Sequence, residues 1–252
     1  MERSGRAAAV TFFSQEEIAA GATVTLGDDA AQHARVLRIV AGEPVGLRDG
    51  RGGAGAGVLS RVAKRSIAID VKDVWRIPDL PPVHLLVPVA DRDRMLMLAE
   101  KATELGATSW RPVIWRRSRS VGPAGDGPSF QSRLKGRMVA ALTQSGGGWL
   151  PEVHPSAPVP RAIAAAPDGV RLLLDANAEV SLLAASITAP VTIAVGPEGG
   201  LDERERSEMI EGGFLPVSLV GSTLRFETAA ISALAIVRAM LGHTNQETSH
   251  DE

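Results

Sequence analysis

The spacing of hydrophobic and polar positions changes near residue 77. Before it, short apolar stretches that partly alternate with polar residues and end at Gly, Asp or Pro predict strands at VTFF, TVTLG, EPVGLRDG, GAGVLSRV and SIAIDVKDVW. One helix is predicted at DDAAQHARVLRIV, where Asp28 or Asp29 could cap it. Together these elements predict a small β-barrel over residues 1–76.

A proline-rich stretch separates this region from the rest of the chain. IPDLPPVH, residues 77–84, holds three prolines, which neither continue a helix nor donate a hydrogen bond in a central strand. Beyond it, apolar strands alternate with helical patterns. The strands are VHLLVPVA, SWRPVIW, GVRLLLDA, APVTIAVG and FLPVSLV, and the helices cover Met95–Leu105, 130–144, DERERSEMIEGG and ETAAISALAIVRAMLG. This alternation predicts an α/β domain over residues 77–252, built on a parallel sheet with both faces covered.

Composition narrows the possible chemistry. The chain has no cysteine, which excludes disulfides, thiolate nucleophiles and cysteine-ligated metals, and its five histidines include no pair at i, i+4 spacing. We therefore expect no metal site. Because no apolar run is long enough to span a bilayer and no secretory signal opens the chain, we expect a soluble cytoplasmic protein without a membrane partner.

The net charge of −2 hides an uneven distribution. Residues 76–140 carry 11 Lys and Arg against 6 Asp and Glu, whereas residues 141–252 carry 6 against 14. Because phosphate contacts depend on local clusters of Lys and Arg, the basic middle favours a nucleic-acid partner. A solvated charged face is the alternative.

One glycine motif resembles a nucleotide-binding fingerprint but is not followed by the helix that such a site requires. Gly50, Gly52 and Gly55 match the G-x-G-x-x-G fingerprint of dinucleotide-binding proteins, which needs a following helix to face the pyrophosphate. Here the predicted strand VLSRV follows. The motif is interpreted as a hairpin turn, and a nucleotide-dependent oxidoreductase remains only as an alternative that needs this motif.

A second glycine motif has the context of a ligand site. GPEGG, residues 196–200, follows the apolar strand VTIAV and precedes a helix with Asp202 and Glu203 in its first turn. Ligands of open α/β sheets bind at the carboxyl ends of strands. The motif lacks the Lys and Ser/Thr of a P-loop, and Glu198 would repel a phosphate. A tight turn and a site for a cationic or donor-rich ligand both stay open.

The stretch SLVGSTLRFETAA, residues 218–230, repeats the arrangement after another apolar strand. Gly221 follows the strand and Arg225 precedes the terminal helix. Arg225 is either an ordinary surface residue or a group that holds an anionic intermediate. Two such loops at neighbouring strand ends predict one shared pocket.

These motifs carry a family likeness. KATELGAT (101–108), QSGGGWLPEV (144–153), LLLD (172–175), VGPEGGL (195–201), SLVGSTLRFETAA and HARVLRIVAGEPVGLRDGRGG (33–53) resemble the RsmE family of 16S ribosomal RNA uridine-N3 methyltransferases. That family belongs to the SPOUT superfamily of knotted methyltransferases. The likeness runs in order from about residue 10 to 241.

The resemblance implies a PUA-like RNA-binding β-barrel in residues 1–76 and a SPOUT methyltransferase domain in residues 77–252, with a C-terminal trefoil knot. It implies S-adenosyl-L-methionine as cofactor and a homodimer with the active site near the dimer interface. The implied cofactor-binding residues are Leu174, Asp175, Gly196, Pro197, Glu198, Gly199, Gly200, Leu219, Val220, Gly221, Leu224 and Arg225.

The implied reaction assigns chemical roles. Because N3 of uridine carries a proton, Arg225 is predicted to hold the uracil oxygens as charge develops, and Glu198 to accept that proton or to bind the ligand. N3 lies on the pairing edge of the base, so the target in 16S ribosomal RNA or the small ribosomal subunit must be unpaired or flipped out. A module that binds RNA without chemistry is the alternative.

Basic and polar side chains are predicted to contact this RNA: Arg35, Arg38, Lys101, Arg111, Arg116, Arg117, Arg119 and Gln144. Lys101 could instead form a surface pair with Glu104. The tryptophans Trp110, Trp115 and Trp149 are core residues or base-stacking groups. Two positions depart from the family pattern: Gly147 stands where an arginine is usual, so an RNA or substrate contact is missing or replaced, and Phe226 stands where threonine is common.

Overall fold

The computed structural model describes residues 10–118, 127–219 and 221–247. Two predicted site residues, Arg119 and Val220, lie outside the described residues. The chain forms two compact units. The first comprises the described residues up to Asp79 together with Val139–Leu150, and the second comprises Leu80–Met138 and the described residues from Pro151 onward.

In the first unit, as far as the structure describes it, five strands form one sheet in the order β1-β3-β4-β5-β2. They are β1 (Thr11–Phe13), β2 (Thr23–Leu26), β3 (Pro44–Arg48), β4 (Gly53–Val62) and β5 (Ile67–Arg76), with helix α1 (Asp28–Val36) between β2 and β3. Irregularities in the β4–β5 pairing bend the two long strands around an apolar core. That core includes Phe12, Val45, Leu47, Leu59 and Ile69.

The helix of this unit is shorter than its pattern predicted. Its N-cap is Gly27, and no side-chain cap is formed, so the expected cap by Asp28 or Asp29 is wrong. Both aspartates lie in the first turn, where their negative charge interacts favourably with the positive end of the helix dipole. The helix ends at Val36, and Arg38 then adopts a left-handed conformation with φ of 57° that stops its continuation.

The hairpin interpretation of the first glycine motif is confirmed. Strands β3 and β4 pair antiparallel on either side of the turn, and Asp49 Oδ1 accepts hydrogen bonds from the N–H groups of Arg51 (2.7 Å) and Gly53 (2.8 Å). Gly50 and Gly52 have φ of 72° and 89°, which glycine adopts without strain. The glycine motif therefore forms the turn between two paired strands, and a strand rather than a helix follows it, so the oxidoreductase alternative loses its cofactor site.

Residues 139–150 return to the first unit, whereas the sequence analysis assigned every residue after 76 to the second domain. Gly52 N–H donates to the Gly148 carbonyl at 2.8 Å, and Leu150 N–H donates to the Gly50 carbonyl at 3.0 Å. Trp149 Nε1 donates to the Ile77 carbonyl at 3.0 Å. The glycine hairpin thus supplies backbone partners for a segment far along the chain.

Among the described residues of the second unit, seven strands form a parallel sheet whose main path is β12-β10-β11-β6-β7-β8, with β9 paired to β7. The predicted parallel α/β architecture is confirmed. The strands are β6 (Val83–Pro88), β7 (Ser109–Ile114), β8 (Glu152–Val153), β9 (Ala157–Pro158), β10 (Val170–Leu174), β11 (Val191–Val195) and β12 (Leu215–Val217).

The helices packed in this unit are α2 (Arg92–Glu104), α4 (Val159–Ala164), α5 (Glu203–Glu211) and α6 (Phe226–Glu247), with a 3-10 turn at Leu182–Ala184. Helix α3 (Pro128–Ser145) begins in this unit, and its residues from Val139 onward belong to the first. Helix α6 packs on α2 and on β6 and β11, and α4 packs on α5 and β7. Strand β11 is buried along its whole length, as a central strand between two layers should be. No helix in the described ranges is both long and apolar enough to cross a membrane.

Candidate active site

Three neighbouring parallel strands end side by side in the second unit. Leu174 at the end of β10 pairs with Val195 of β11 and with Val217 of β12. Because the strands are parallel, the loops that follow them start at the same edge of the sheet. The structure therefore brings Asp175, the GPEGG loop (residues 196–200) and the start of the loop after β12 to one edge of the sheet. Strand β10 lies between β11 and β12, so the two glycine loops leave strands that are not adjacent, and a shared pocket stays a prediction.

The GPEGG loop is a tight turn. Gly200 N–H donates to the Pro197 carbonyl at 2.9 Å, and Gly200 has φ of 72°. A Cβ at Gly199 would lie 3.2 Å from Arg117 Cβ, and one at Gly196 would lie 3.0 Å from a Leu201 methyl. Glycine is thus favoured by the turn and by close packing, while Glu198, Gly199 and Gly200 stay exposed.

Arg117 supports this loop from the segment after β7. Its Nη1 donates to the Gly199 carbonyl at 3.3 Å and to the Leu201 carbonyl at 3.2 Å. The preceding residue, Arg116, has Nη1 3.4 Å from Asp202 Oδ1, and its N–H donates to Glu205 Oε1 at 2.7 Å. The basic run predicted to bind phosphates therefore also holds the GPEGG loop and the start of α5, and RNA contact by its exposed side chains stays a prediction.

Arg94 of α2 joins the same edge and was not predicted. Its Nη1 forms an ion pair with Glu198 Oε1, and its Nε lies 3.8 Å from Glu227 Oε1. Helix α2 begins four residues after β6, and Asp91 caps it by accepting from the N–H of Arg94 at 3.1 Å. No local sequence signal marks Arg94, because its position near the GPEGG loop follows from β6 lying beside β11 in the sheet.

Glu227 adds a buried acid at the first turn of α6. It is 3% exposed, and its Oε2 has no hydrogen-bond partner within the described part of the chain. The helix N-terminus and the Arg94 guanidinium both stabilise its negative charge.

Asp175, predicted to bind cofactor, is engaged by the protein. Its Oδ2 accepts from Arg206 Nε of α5 at 2.8 Å, and its Oδ1 accepts from Asn177 N–H at 2.9 Å. The hydrogen bond with Asp175 is the main cause that raises the pKa of Arg206. The Asp175 side chain therefore links the end of β10 to α5, and the backbone of Asp175 is the part better placed to contact a ligand.

The third loop leaves β12 beside the 3-10 turn. Ser218 N–H donates to the Val180 carbonyl at 2.8 Å, and Leu182 N–H donates to the Ser218 carbonyl at 2.8 Å. Leu219 and Leu224 are half-buried, whereas Gly221 and Arg225 are exposed. Within the described residues no ion pair engages the Arg225 guanidinium. Phe226, at the position where the family commonly has threonine, is buried.

Within the described part of the chain, the other predicted RNA-binding residues do not share a contact network, and each has its own contacts or exposure. Arg35 Nη1 donates to the Lys64 carbonyl at 3.0 Å, Arg111 Nη1 donates to the Pro155 carbonyl at 3.2 Å, and Arg38 and Gln144 are exposed. Lys101 Nζ lies 2.8 Å from Glu104 and 2.9 Å from Glu100, and the hydrogen bonds to these carboxylates raise its pKa. Lys101 thus forms the surface pair with Glu104, and RNA contact by Lys101 stays a prediction.

The three tryptophans predicted to be core residues or base-stacking groups differ in burial. Trp110 and Trp115 are at most 2% exposed, which confirms them as core residues and makes them unavailable to bases. Trp149 is half-buried and lies in the first unit.

Family descriptions match both units. The description "RNA methyltransferase domain" matches residues 78–238, and "RNA methyltransferase PUA domain" matches residues 26–72. The class of protein that the parallel sheet and its strand-end loops define is thus that of RNA methyltransferases with a PUA-like N-terminal domain.

Individual relatives narrow the class. The chain is 31% identical over 229 residues to ribosomal RNA small subunit methyltransferase E of Synechocystis, covering 87% of this chain and 74% of that protein. It is 27% identical to the protein of the same name from Mycobacterium bovis, covering 90% and 89%. The chain belongs to the ribosomal RNA small subunit methyltransferase E family.

Solved structures agree with this assignment. The ribosomal RNA small subunit methyltransferase E of Neisseria gonorrhoeae, bound to S-adenosyl methionine, superposes with a TM-score of 0.84 at 28% identity, covering 92% of this chain and 97% of that one. A putative methyltransferase from Legionella pneumophila in complex with the same cofactor gives a TM-score of 0.86 at 26% identity, with coverage of 92% and 97%.

Proposed function

We propose that this protein transfers a methyl group from S-adenosyl-L-methionine to N3 of a uridine in 16S ribosomal RNA. The observation that carries the proposal is the meeting of three loops at one edge of the parallel sheet, each bearing a motif of the family. An exposed Arg225 stands at this edge, at the start of α6.

The residues at this edge fit the cofactor. S-adenosyl-L-methionine carries an electrophilic methyl group on a sulfonium, together with hydrogen-bond donors on its amino, ribose and adenine groups. Exposed backbone of the GPEGG loop and the open space around Gly221 would admit it. The binding set is Leu174, Asp175, residues 196–200, Leu219, Val220, Gly221, Leu224 and Arg225.

Arg225 stabilises the reacting base. N3 of uridine becomes a nucleophile when its proton leaves, and the negative charge then spreads to the uracil oxygens. A guanidinium that donates to these oxygens lowers the barrier, because it meets charge that develops in the transition state. Productive alignment of N3 with the methyl group supplies the remaining acceleration.

Glu198 has a restricted part in this scheme. Its carboxylate is already in an ion pair with Arg94. We assign it first to holding the GPEGG loop in place. Proton removal from N3 by Glu198 requires that Arg94 shift toward Glu227.

The RNA target is unpaired or flipped out at the reacting uridine, since N3 lies on the pairing edge. Arg35, Arg38, Lys101, Arg111, Arg116, Arg117, Arg119 and Gln144 are the proposed contacts to phosphates and sugars. Free 16S ribosomal RNA and the small ribosomal subunit both provide such a substrate, and either places the protein in the cytoplasm.

We also propose a C-terminal trefoil knot of the SPOUT type. Its support is that β12 lies at the sheet edge beside β10, that the next residues pair with residues 180–182, and that α6 then packs on β11, β6 and α2. The chain therefore passes from the edge of the sheet back over its centre after the pocket loops. Knots are rare exceptions to the usual rules of chain connection.

Substitution of Arg225 tests the catalytic assignment. Arg225→Ala removes the group that stabilises charge on the base, so methyl transfer to 16S ribosomal RNA should fall by roughly two to three orders of magnitude, as for loss of one oxyanion donor. Arg225→Lys, which keeps the charge without the planar fork, should retain part of the rate. The readout is single-turnover methyl incorporation.

Two controls accompany these variants. Thermal unfolding should match wild type, because Arg225 is exposed. Calorimetry of the wild type with S-adenosyl-L-methionine separates the enzyme from an RNA-binding module without chemistry, which would bind no cofactor. Wild-type turnover in Arg225→Ala would remove Arg225 from the mechanism.

A further inference from the structure

Two arginine–tryptophan pairs lie in the first unit. The guanidinium carbon of Arg48 lies 5.6 Å from the centre of the Trp75 ring, and that of Arg76 lies 4.8 Å from the centre of the Trp149 ring. Both distances are within the range of cation–π attraction. We call Arg48 and Trp75 the Trp75 surface, because Arg76 directly follows Trp75 on β5 and therefore points to the opposite face.

The sheet explains why the first pair forms. Arg48, Ala54 and Trp75 occupy paired positions on β3, β4 and β5, so their side chains lie on the same face. Ala54 between them is small, which lets the arginine reach the indole. The second half of β5, from Lys72 to Arg76, is exposed, and Trp75 itself is 46% exposed. A large aromatic ring is thus presented to solvent beside a cation.

The Arg48 guanidinium is held by the segment that returns to this unit. Its Nε donates to the Gly147 carbonyl at 3.2 Å, and its Nη2 donates to the Gly146 carbonyl at 3.5 Å. Burial lowers the pKa of Arg48, which nevertheless remains charged at neutral pH. The resemblance to the family led us to expect an arginine at residue 147. Arg48 brings a guanidinium to that position from another strand.

The second pair is fixed in a similar way. Trp149 Nε1 donates to the Ile77 carbonyl, and a Cβ at Gly52 would lie 2.4 Å from Cζ2 of the ring, so the indole rests directly on the glycine backbone. Arg51, which forms a β-bridge with Trp149, is exposed, while the Asp49 carboxylate is bound by the N–H groups of Arg51 and Gly53. This second pair is separate from the Trp75 surface, because adjacent residues of a strand point to opposite faces.

We propose that the Trp75 surface binds single-stranded RNA, with a base stacked on Trp75 and with Arg48 contacting a neighbouring phosphate. Every base has a face that stacks on an aromatic ring, and an arginine beside that ring attracts the phosphate backbone. This inference rests on the proposed function, since it takes the ligand to be RNA. It adds a stacking site to the phosphate contacts proposed above.

Fluorescence anisotropy with a labelled single-stranded oligoribonucleotide tests the proposal. Trp75→Ala should weaken binding about tenfold or more, since stacking of one base contributes that much, and Trp75→Phe should recover most of the affinity. Val74→Ala is the matched control, because Val74 is the adjacent exposed residue of β5 and points to the opposite face. Thermal unfolding of each variant checks that the sheet is intact.

Salt dependence tests the arginines separately. Arg48→Ala should reduce the slope of log affinity against log salt by about one. Gly147→Arg should raise the affinity and steepen the slope by about one, because a Cβ at Gly147 meets only ordinary contacts at 3.4 and 3.5 Å. A decrease or no change in RNA affinity on adding this arginine would count against the surface.

Failure of this inference differs from failure of the proposed function. If Trp75→Ala and Val74→Ala bind the oligoribonucleotide as wild type does, the surface is not an RNA site and a protein partner becomes the better occupant, whatever the methylation assay gives. If Trp75→Ala weakens RNA binding while the wild type transfers no methyl group, the surface stands and the proposed function fails.

Discussion

At the scale of the residue, Arg94 connects parts of the pocket edge that are distant in sequence. It lies on α2, and its guanidinium meets Glu198 of the GPEGG loop and the buried Glu227 of α6. A buried carboxylate without a cation is costly, so Arg94 serves both the loop and the helix start.

Arg94→Ala should therefore affect stability and cofactor binding together. We expect a loss of about 1–3 kcal/mol in the free energy of unfolding, since Glu227 loses its neighbouring cation. We also expect roughly tenfold weaker binding of S-adenosyl-L-methionine, because the GPEGG loop loses an anchor. Urea unfolding and calorimetry measure the two effects, and Met97→Ala, an exposed change on the same helix, is the control.

A second substitution distinguishes the causes. Glu227→Gln in the Arg94→Ala background should recover stability, because the buried group is then neutral, without restoring the loop. If Arg94→Ala matches Met97→Ala in both the free energy of unfolding and the affinity for S-adenosyl-L-methionine, the two ion pairs contribute to neither.

The sequence predicted some of these residues and could not predict others. The GPEGG loop was recognisable because glycines at the end of an apolar strand are a local signal. Arg94 gives no such signal, since its partners lie about 100 and 130 residues further on. The protein contacts of Asp175 and Arg117 likewise depend on how neighbouring elements pack.

At the scale of the element, the order of the strands in the parallel sheet determines which loops lie together at its edge. Apolar runs indicated β6, β7, β10, β11 and β12, and their alternation with helices indicated parallel pairing. The order in which strands lie side by side is a long-range property, as is the return of residues 139–150 to the first unit. Local patterns carry no information on either.

The pair of His84 and Ser109 joins two of these strands and provides a test by pH. His84 Nδ1 lies 2.8 Å from Ser109 Oγ at paired positions of β6 and β7. Burial lowers the pKa of His84 below its ordinary value of 6.5, with His154 and Arg238 acting in the same direction and Glu152 opposing them.

Because the unfolded chain then binds the His84 proton more readily than the folded one, acid destabilises the fold. The free energy of unfolding should fall as pH decreases below about 6.5, by at most about 1.4 kcal/mol per pH unit for this one group. Urea unfolding at several pH values between about 5 and 7.5 measures the slope. His84→Gln should give a flatter profile, and an unchanged slope would show that His84 contributes nothing to it.

At the scale of the whole molecule, the homodimer implied by the family resemblance predicts a self-association surface. Apolar side chains are exposed along β12 and the adjoining 3-10 segment: Leu215 at 43%, Val180 at 38% and Leu183 at 70%. Their position beside the third loop agrees with an active site near the dimer interface. Exposed apolar patches of this kind favour protein association.

Light scattering coupled to size exclusion should report twice the mass of one chain. Leu183→Asp should shift the protein toward the monomer, because a charge at the centre of the patch must be desolvated on association. Val36→Asp, at an equally exposed apolar residue of the first unit, should leave the mass unchanged. A wild type that is monomeric at micromolar concentration would contradict the dimer.

The central claim concerns which atom receives the methyl group. The direct measurement is nucleoside mass spectrometry of unmethylated 16S ribosomal RNA, free or in the small subunit, after incubation with the protein and S-adenosyl-L-methionine. We predict the appearance of N3-methyluridine at a single site and its near absence with Arg225→Ala. Methylation of another atom or base, or no methylated nucleoside with either substrate, would contradict the account.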